Sequence, residues 1–183
     1  MSRFDTGVWA RARAYLGGTS SDQGERDERD HPAGRTSAVE IAAALCRRFE
    51  GFRAEPYLCP AGVPTIGYGA TYYLNGTAVT LRDRPLSLEA ADRLLVRQIE
   101  TVYLPAALRQ CPTLADEAPE RLAAIVDWTF NLGEGRLRAS TLRQRIETGD
   151  WNAVPAELRK WVRGGGRVLP GLVARREAEA ALV

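Results

Sequence analysis

Lysine is nearly missing from this chain: Lys160 is the only one among 25 basic residues. Against 23 acidic residues the formal charge is +2, so no basic excess points to nucleic acid, and the arginine usage reads as coding bias. Histidine occurs once, His31, and cysteine three times, as Cys46, Cys59 and Cys111. No close ligand pair results, which argues against a structural metal site and predicts no cofactor. An odd cysteine count in a chain of 183 residues likewise argues against a disulfide framework. There is no apolar run of roughly 18 residues, and the first residues lack the apolar core of a secretory signal. The sequence therefore predicts no stable membrane insertion, and synthesis in the cytosol.

What is present suits an enzyme-sized domain with an appendage. The 45% apolar content can bury a substantial core. Residues 4–16 place Val8, Trp9, Ala12, Tyr15 and Leu16 on one stripe of a short amphipathic helix that ends at Gly17-Gly18. Residues 19–36 hold many charges of both signs and no large apolar side chain, the composition of a linker. The division predicted is residues 1–36 as helix and linker, and 37–183 as the folded domain.

That domain opens with Ser37 and Glu40 as a capping box for a helix running to Gly51. Residues 52–81 turn to glycine, proline, aromatic and β-branched residues, with Asn75-Gly76 as a hairpin signal, predicting a small irregular antiparallel sheet. From Ser87, an N-cap, the chain reads as helices. Leu88, Ala91, Leu94, Leu95, Gln98, Ile99 and Val102 share one side of the first, which Pro105 interrupts. A more apolar helix runs from about Pro119 to Leu132, with Leu122, Ile125, Val126, Thr129 and Phe130 inward and Gly133 as its stop. Others follow at about 140–148 and 151–162, the latter ended by Gly164-Gly165-Gly166, and a last one after Pro170-Gly171.

One stretch carries the chemistry: Phe49 to Thr71, FEGFRAEPYLCPAGVPTIGYGAT. Glu50 sits where the first helix stops, at the negative end of the helix dipole and among Phe49, Phe52 and Tyr57, a setting suited to a proton donor. After eight intervening residues comes Cys59, and after five more Thr65, followed by Ile66-Gly67-Tyr68-Gly69.

This pattern resembles the phage-type lysozymes, the endolysins of glycoside hydrolase family 24. Their order is Glu, eight residues, Asp or Cys, five residues, Thr, then Ile-Gly-Tyr-Gly. The landmarks Trp128 to Gly133, Ser140-Thr141-Leu142, Gly149-Asp150-Trp151, Leu169 to Leu172 and Arg175-Arg176-Glu177 extend the resemblance over most of residues 37–183. It implies an α+β, mostly α, two-lobed lysozyme-like fold with a small irregular antiparallel sheet, a helical lobe and a peptidoglycan cleft between them. It further implies Glu50 as acid, with Cys59 and Thr65 holding the attacking water, Phe130, Asn131, Ser140 and Thr141 along the far cleft wall, and an arginine of the terminal helix near Glu50. Cys59 stands where most relatives carry Asp, as in a subset that includes endolysins exported through a signal anchor; a thiol is a weaker hydrogen-bond partner than a carboxylate, which shifts the water toward Thr65.

The reading is a monomeric lysozyme (muramidase), a hydrolase that cleaves the β-1,4 bond between N-acetylmuramic acid and N-acetylglucosamine for host cell lysis. It would wait in the host cytoplasm and reach the periplasmic wall through a holin-type pore. The alternatives are a virion-associated form using residues 1–36 for attachment, and a non-catalytic peptidoglycan-binding protein on the same fold.

Overall fold

Residues 32–183 are described by the structure, a computed structural model. The helix expected over 4–16, and the linker up to His31, lie outside the described residues. The end of that expected linker is not a linker: Pro32–Glu50 is one helix, α1, so Ser37 falls inside it instead of capping it. Proline suits the first helical position, where its missing N–H would be unpaired in any case.

Small residues on one side of α1, Ala38, Ala42, Ala43 and Cys46, are completely buried and bring it close against the central helix α4 (Pro119–Leu132). Before α4 the chain forms the expected small sheet. Strands β1 (Arg53–Leu58) and β2 (Pro64–Gly67) pair antiparallel, Tyr57 opposite Thr65, with a register shift between Arg53 and Tyr57. Asn75-Gly76 then reverses the chain, but with a lone Tyr72–Ala78 bridge and no further strand. This lobe has its own small core of Ile66, Ala70, Val79 and Leu94.

Helix α2 (Leu88–Gln98) belongs to both lobes. Ser87 caps it as expected, its hydroxyl accepting from the Ala90 N–H, and Leu94 faces the small core while Ala91, Leu95 and Ile99 face the large one. Leu88 is instead about half exposed. Pro105 does not break the helix. A π-helical turn at Ile99–Tyr103 leads directly into α3 (Leu104–Gln110), with Pro105 in its first turn. Widening the helix just before a proline gives its ring room, and the proline then needs no N–H partner.

After a 3₁₀ turn at Pro112–Asp116, α4 runs to Leu132 with Leu122, Ile125, Val126 and Thr129 buried as predicted and Phe130 only half-buried, and Gly133 stops it. Trp128 at its centre is fully buried, edge-on to Trp161. The short α5 (Glu134–Arg138) was not anticipated, since five residues carry no periodicity. Ser140 caps α6 (Thr141–Glu147). The helix expected over 151–162 shrinks to α7 (Val154–Arg159), restarted by Pro155, and the triglycine does not merely end it. Arg163–Gly164 (β3) and Arg167–Val168 (β4) form a two-residue hairpin around Gly165-Gly166. Helix α8 (Pro170–Ala180) closes the fold against α7, α4 and α1. Among the described residues, no helix is long and apolar enough to cross a membrane.

Gly67 ends β2 at φ +63°, and a Cβ there would stand 3.2 Å from the Cβ of Ala91 on α2. Left-handed backbone costs an L-residue about 1–2 kcal/mol, so Gly67→Ala should lower unfolding stability by at least that much in urea titration, with little change in slope.

Candidate active site

Glu50 is the last residue of α1, and Gly51, at φ +71°, makes the left-handed turn into β1. Its side chain is only 13% exposed, and Oε1 accepts from Arg175 Nη1 at 2.5 Å. The carboxylate opens onto a cavity of about 250 Å³ lined by Phe49, Glu50, Asn131, Leu169, Gly171, Leu172 and Arg175. The end of α1, the end of α4 and the start of α8 thus converge there. Glu50 is the one carboxylate in that lining.

Arg175 is what joins them. Its guanidinium, 3% exposed, donates from Nε to Asp127 Oδ2 at 2.9 Å and from Nη2 to Asp127 Oδ1 at 2.7 Å, while Nη1 serves Glu50. Its Cζ lies 5.7 Å from the ring centroids of both Phe49 and Phe130, on whose electrons the cation also rests. The Cys46 thiol donates to Asp127 Oδ1 at 3.2 Å. Burial alone would raise the Asp127 carboxyl, but the Arg175 guanidinium overcomes that and holds it below the usual carboxylate range. The Cys46 thiol is pushed well up by burial and by Asp127, which keeps it protonated and a donor.

The expected arginine of the terminal helix is Arg175, which meets Glu50, and the two glutamates that follow it on α8 divide. Glu177 is exposed and binds Arg159 of α7; Glu179 is fully buried and binds Arg176. Asp127 escaped the sequence reading altogether. The available signal was a lone carboxylate within Ile125-Val126-Asp127-Trp128, since an acidic residue in the most apolar helix has to find a cation.

Cys59 and Thr65 share the β1–β2 hairpin but are not part of the cavity lining. Cys59 N–H donates to Val63 O, and the Thr65 hydroxyl donates to the same carbonyl at 2.9 Å, which leaves its oxygen free to accept. Thr65 is completely covered and Cys59 nearly so. Tyr57 stands opposite Thr65, and burial chiefly, with the nearby Glu50, pushes its phenol up despite Arg53.

On the other wall, Asn131 lines the cavity and its buried Oδ1 has no hydrogen-bond partner. Phe130 is half-buried, packed edge-on to Tyr103 with ring centroids 4.8 Å apart. Ser140 and Thr141 lie outside this cavity, with their hydroxyls engaged. Ser140 caps α6 and donates to Leu137 O, and Thr141 donates to Glu157. Among the described residues, no group of three or more His, Cys, Asp or Glu side chains could hold a metal.

Deleting a charge from a buried pair leaves its partner stranded. Arg175→Met should therefore cost about 3–5 kcal/mol in denaturant unfolding. The folded Asp127 carboxyl is depressed, so the stability it contributes is present above the unfolded value of about 3.9 and is lost as pH falls through the folded one. Wild type should accordingly weaken as pH falls below about 5, and Arg175→Met should show less of that loss.

Comparison with known proteins agrees with this geometry. The phage lysozyme family profile matches residues 47–179. An endolysin of Acyrthosiphon pisum secondary endosymbiont phage 1 is 35% identical over 147 residues, covering 78% of this chain and 94% of its own. A SAR-endolysin of Enterobacteria phage P21 is 32% identical over 149 residues, covering 78% and 85%. Among solved structures, the active form of P1 phage endolysin Lyz superimposes with TM-score 0.65 at 25% identity over 82% of this chain and 91% of that one. The muramidase domain of SpmX from Asticaccaulis excentricus gives 0.62 at 26% over 77% and 92%. The half-buried glutamate at the end of a helix, the hairpin that follows it and the arginine reaching back from the last helix therefore stand within a shared sequence and fold: the chain belongs to the phage lysozyme family.

Proposed function

We propose that this phage lysozyme hydrolyses the β-1,4 bond between N-acetylmuramic acid and N-acetylglucosamine of bacterial peptidoglycan, with Glu50 as the general acid. The observation that carries the reading is a largely buried carboxyl group at the head of a cavity with no second carboxylate in its lining. A saccharide filling that space excludes water and puts its glycosidic oxygen against Glu50, which delivers a proton as the bond opens through an oxocarbenium-like state. The unpaired Oδ1 of Asn131 is suited to accept from an acetamido N–H, while Phe130, outside the lining, backs Arg175 from behind.

The attacking water comes from the hairpin side and yields inversion. Thr65, whose proton is committed to Val63 O, accepts from that water, and Cys59 is a secondary contact. Because both side chains are covered in the free protein, this role requires the hairpin to shift when saccharide enters. Ser140 and Thr141 contact more distant sugars only if their present hydrogen bonds exchange.

In this reading the protein acts as a monomer, held in the host cytoplasm until a holin-type pore admits it to the wall. The catalytic domain begins near residue 37, with residues 1–36 as a separate segment whose last positions contribute the opening turns of α1.

Positioned acid catalysis is worth about 10²–10⁴-fold. Glu50→Gln should lower reducing-end release from purified peptidoglycan by at least that range while the protein stays folded. Turnover retained by that variant would overturn the assignment. Thr65→Val should show a smaller loss, confined to kcat.

A further inference from the structure

The ionic cluster behind the cavity holds one carboxyl more than its cations require. Glu50 of α1, Asp127 of α4 and Glu179 of α8 meet two guanidinium groups, Arg175 and Arg176, both from α8. Arginine stays charged in proteins, so while Glu50 is ionised against Arg175 the cluster is neutral only when Asp127 and Glu179 hold one proton between them. Solvent cannot offset an imbalance there, because Asp127, Glu179 and Arg176 are fully buried and Arg175 nearly so.

The contacts indicate where the proton lies. Asp127 already accepts two bonds from Arg175 and one from Cys46. Glu179 Oε1 accepts from Arg176 Nη2 and stands 3.9 Å from Arg175 Nε, while its Oε2 finds no donor. Asp127 Oδ2 and Glu179 Oε1 face the same nitrogen, Arg175 Nε, at 2.9 and 3.9 Å, which sets the two buried carboxyls side by side. Two dry carboxyl groups so placed are satisfied when one carries a proton and donates it to the other, and a protonated Glu179 still offers its carbonyl oxygen to Arg176.

We propose that Asp127 and Glu179 share one proton and, as a pair of charge −1, are the positioning residues that fix Arg175 against Glu50 and set the charge it presents there. Burial pushes the Glu179 carboxyl up and Asp127 adds to that push, the direction a shared proton needs. The other groups around the cluster do not supply the missing charge. Cys46 of α1 is a neutral donor; Tyr103 of the π-helical turn, pushed up to about 12 by burial, stays neutral, as does Tyr57 of β1. On α7, Arg159 is taken by Glu177 and Lys160 by Glu157.

The pair matters for the activity proposed above, and its first test rests on Glu50 being the acid. The double substitution Asp127→Asn with Glu179→Gln deletes the charge of the pair and leaves two guanidinium groups facing Glu50 alone. The alkaline limb of the kcat–pH profile should then move about one unit to lower pH, roughly a tenfold loss of rate on that side. Glu179→Gln alone keeps a neutral donor to Asp127 and the charge of the pair, so its limb should stay in place. A shift already in Glu179→Gln would mean two ionised carboxylates, and no shift in the double variant would mean a purely structural role; each result overturns the proposal.

A second measurement needs neither turnover nor a variant that folds well. In carboxyl-carbon NMR titration of the wild-type protein, one glutamate signal should remain in its protonated position at about pH 6, where free carboxyls are ionised. Its absence from the Glu179→Gln spectrum would assign it. A spectrum with every carboxyl ionised by that pH overturns the shared proton whatever the enzyme does to peptidoglycan. Conversely, a wild-type protein inert on peptidoglycan but showing that signal would sink the acid assignment alone.

Discussion

The structure depends on one buried cation. Arg175, 3% exposed, holds Asp127 with two nitrogens and Glu50 with the third, between the faces of Phe49 and Phe130. A guanidinium so far from water persists only where its charge and its donors are met. Meeting them requires α1, α4 and α8 to arrive together, so the contact that seals three helices also forms the inner wall of the cavity. Stability and the placement of Glu50 are therefore one constraint here.

That constraint explains the arrangement of the two lobes. The small core of Ile66, Ala70, Val79 and Leu94 is too modest to hold the hairpin by itself, and it is completed by a residue of α2, whose other side joins the main core. Arg47 of α1 adds a two-pronged ion pair to Asp92 of α2, with N–O distances of 2.5 and 3.0 Å. The hairpin bearing Cys59 and Thr65 is thus tied to the helix that bears Glu50, while the opposite wall comes from α4 and α8. The cavity itself is lined from α1, α4 and the start of α8, so its walls rest on the main core, with the hairpin lobe beside it.

Much of the secondary structure was legible because its signals are local. Ser87 and Ser140 do cap helices, Pro119 and Gly133 do bound the central one, and Asn75-Gly76 does reverse the chain. The departures are also physical. Pro105 failed as a stop because a π-helical turn absorbed its ring, and Pro32 opened α1 before Ser37 could. A five-residue helix and a two-residue hairpin are too short to show a period at all.

The helical character, the hairpin, the family pattern from Glu50 to Gly69 and the place of Glu50 at a helix end were thus all contained in the sequence. Caps, turns and periodicity act over a few residues and can be read wherever they occur. Only the tertiary structure decided which charges meet. Arg175 reaches 125 residues back to Glu50 and 48 back to Asp127, and Glu179 turns inward while Glu177, two positions away, stays in solvent. Such pairings follow from burial, which makes an unmatched charge costly, and burial exists only once the helices have packed.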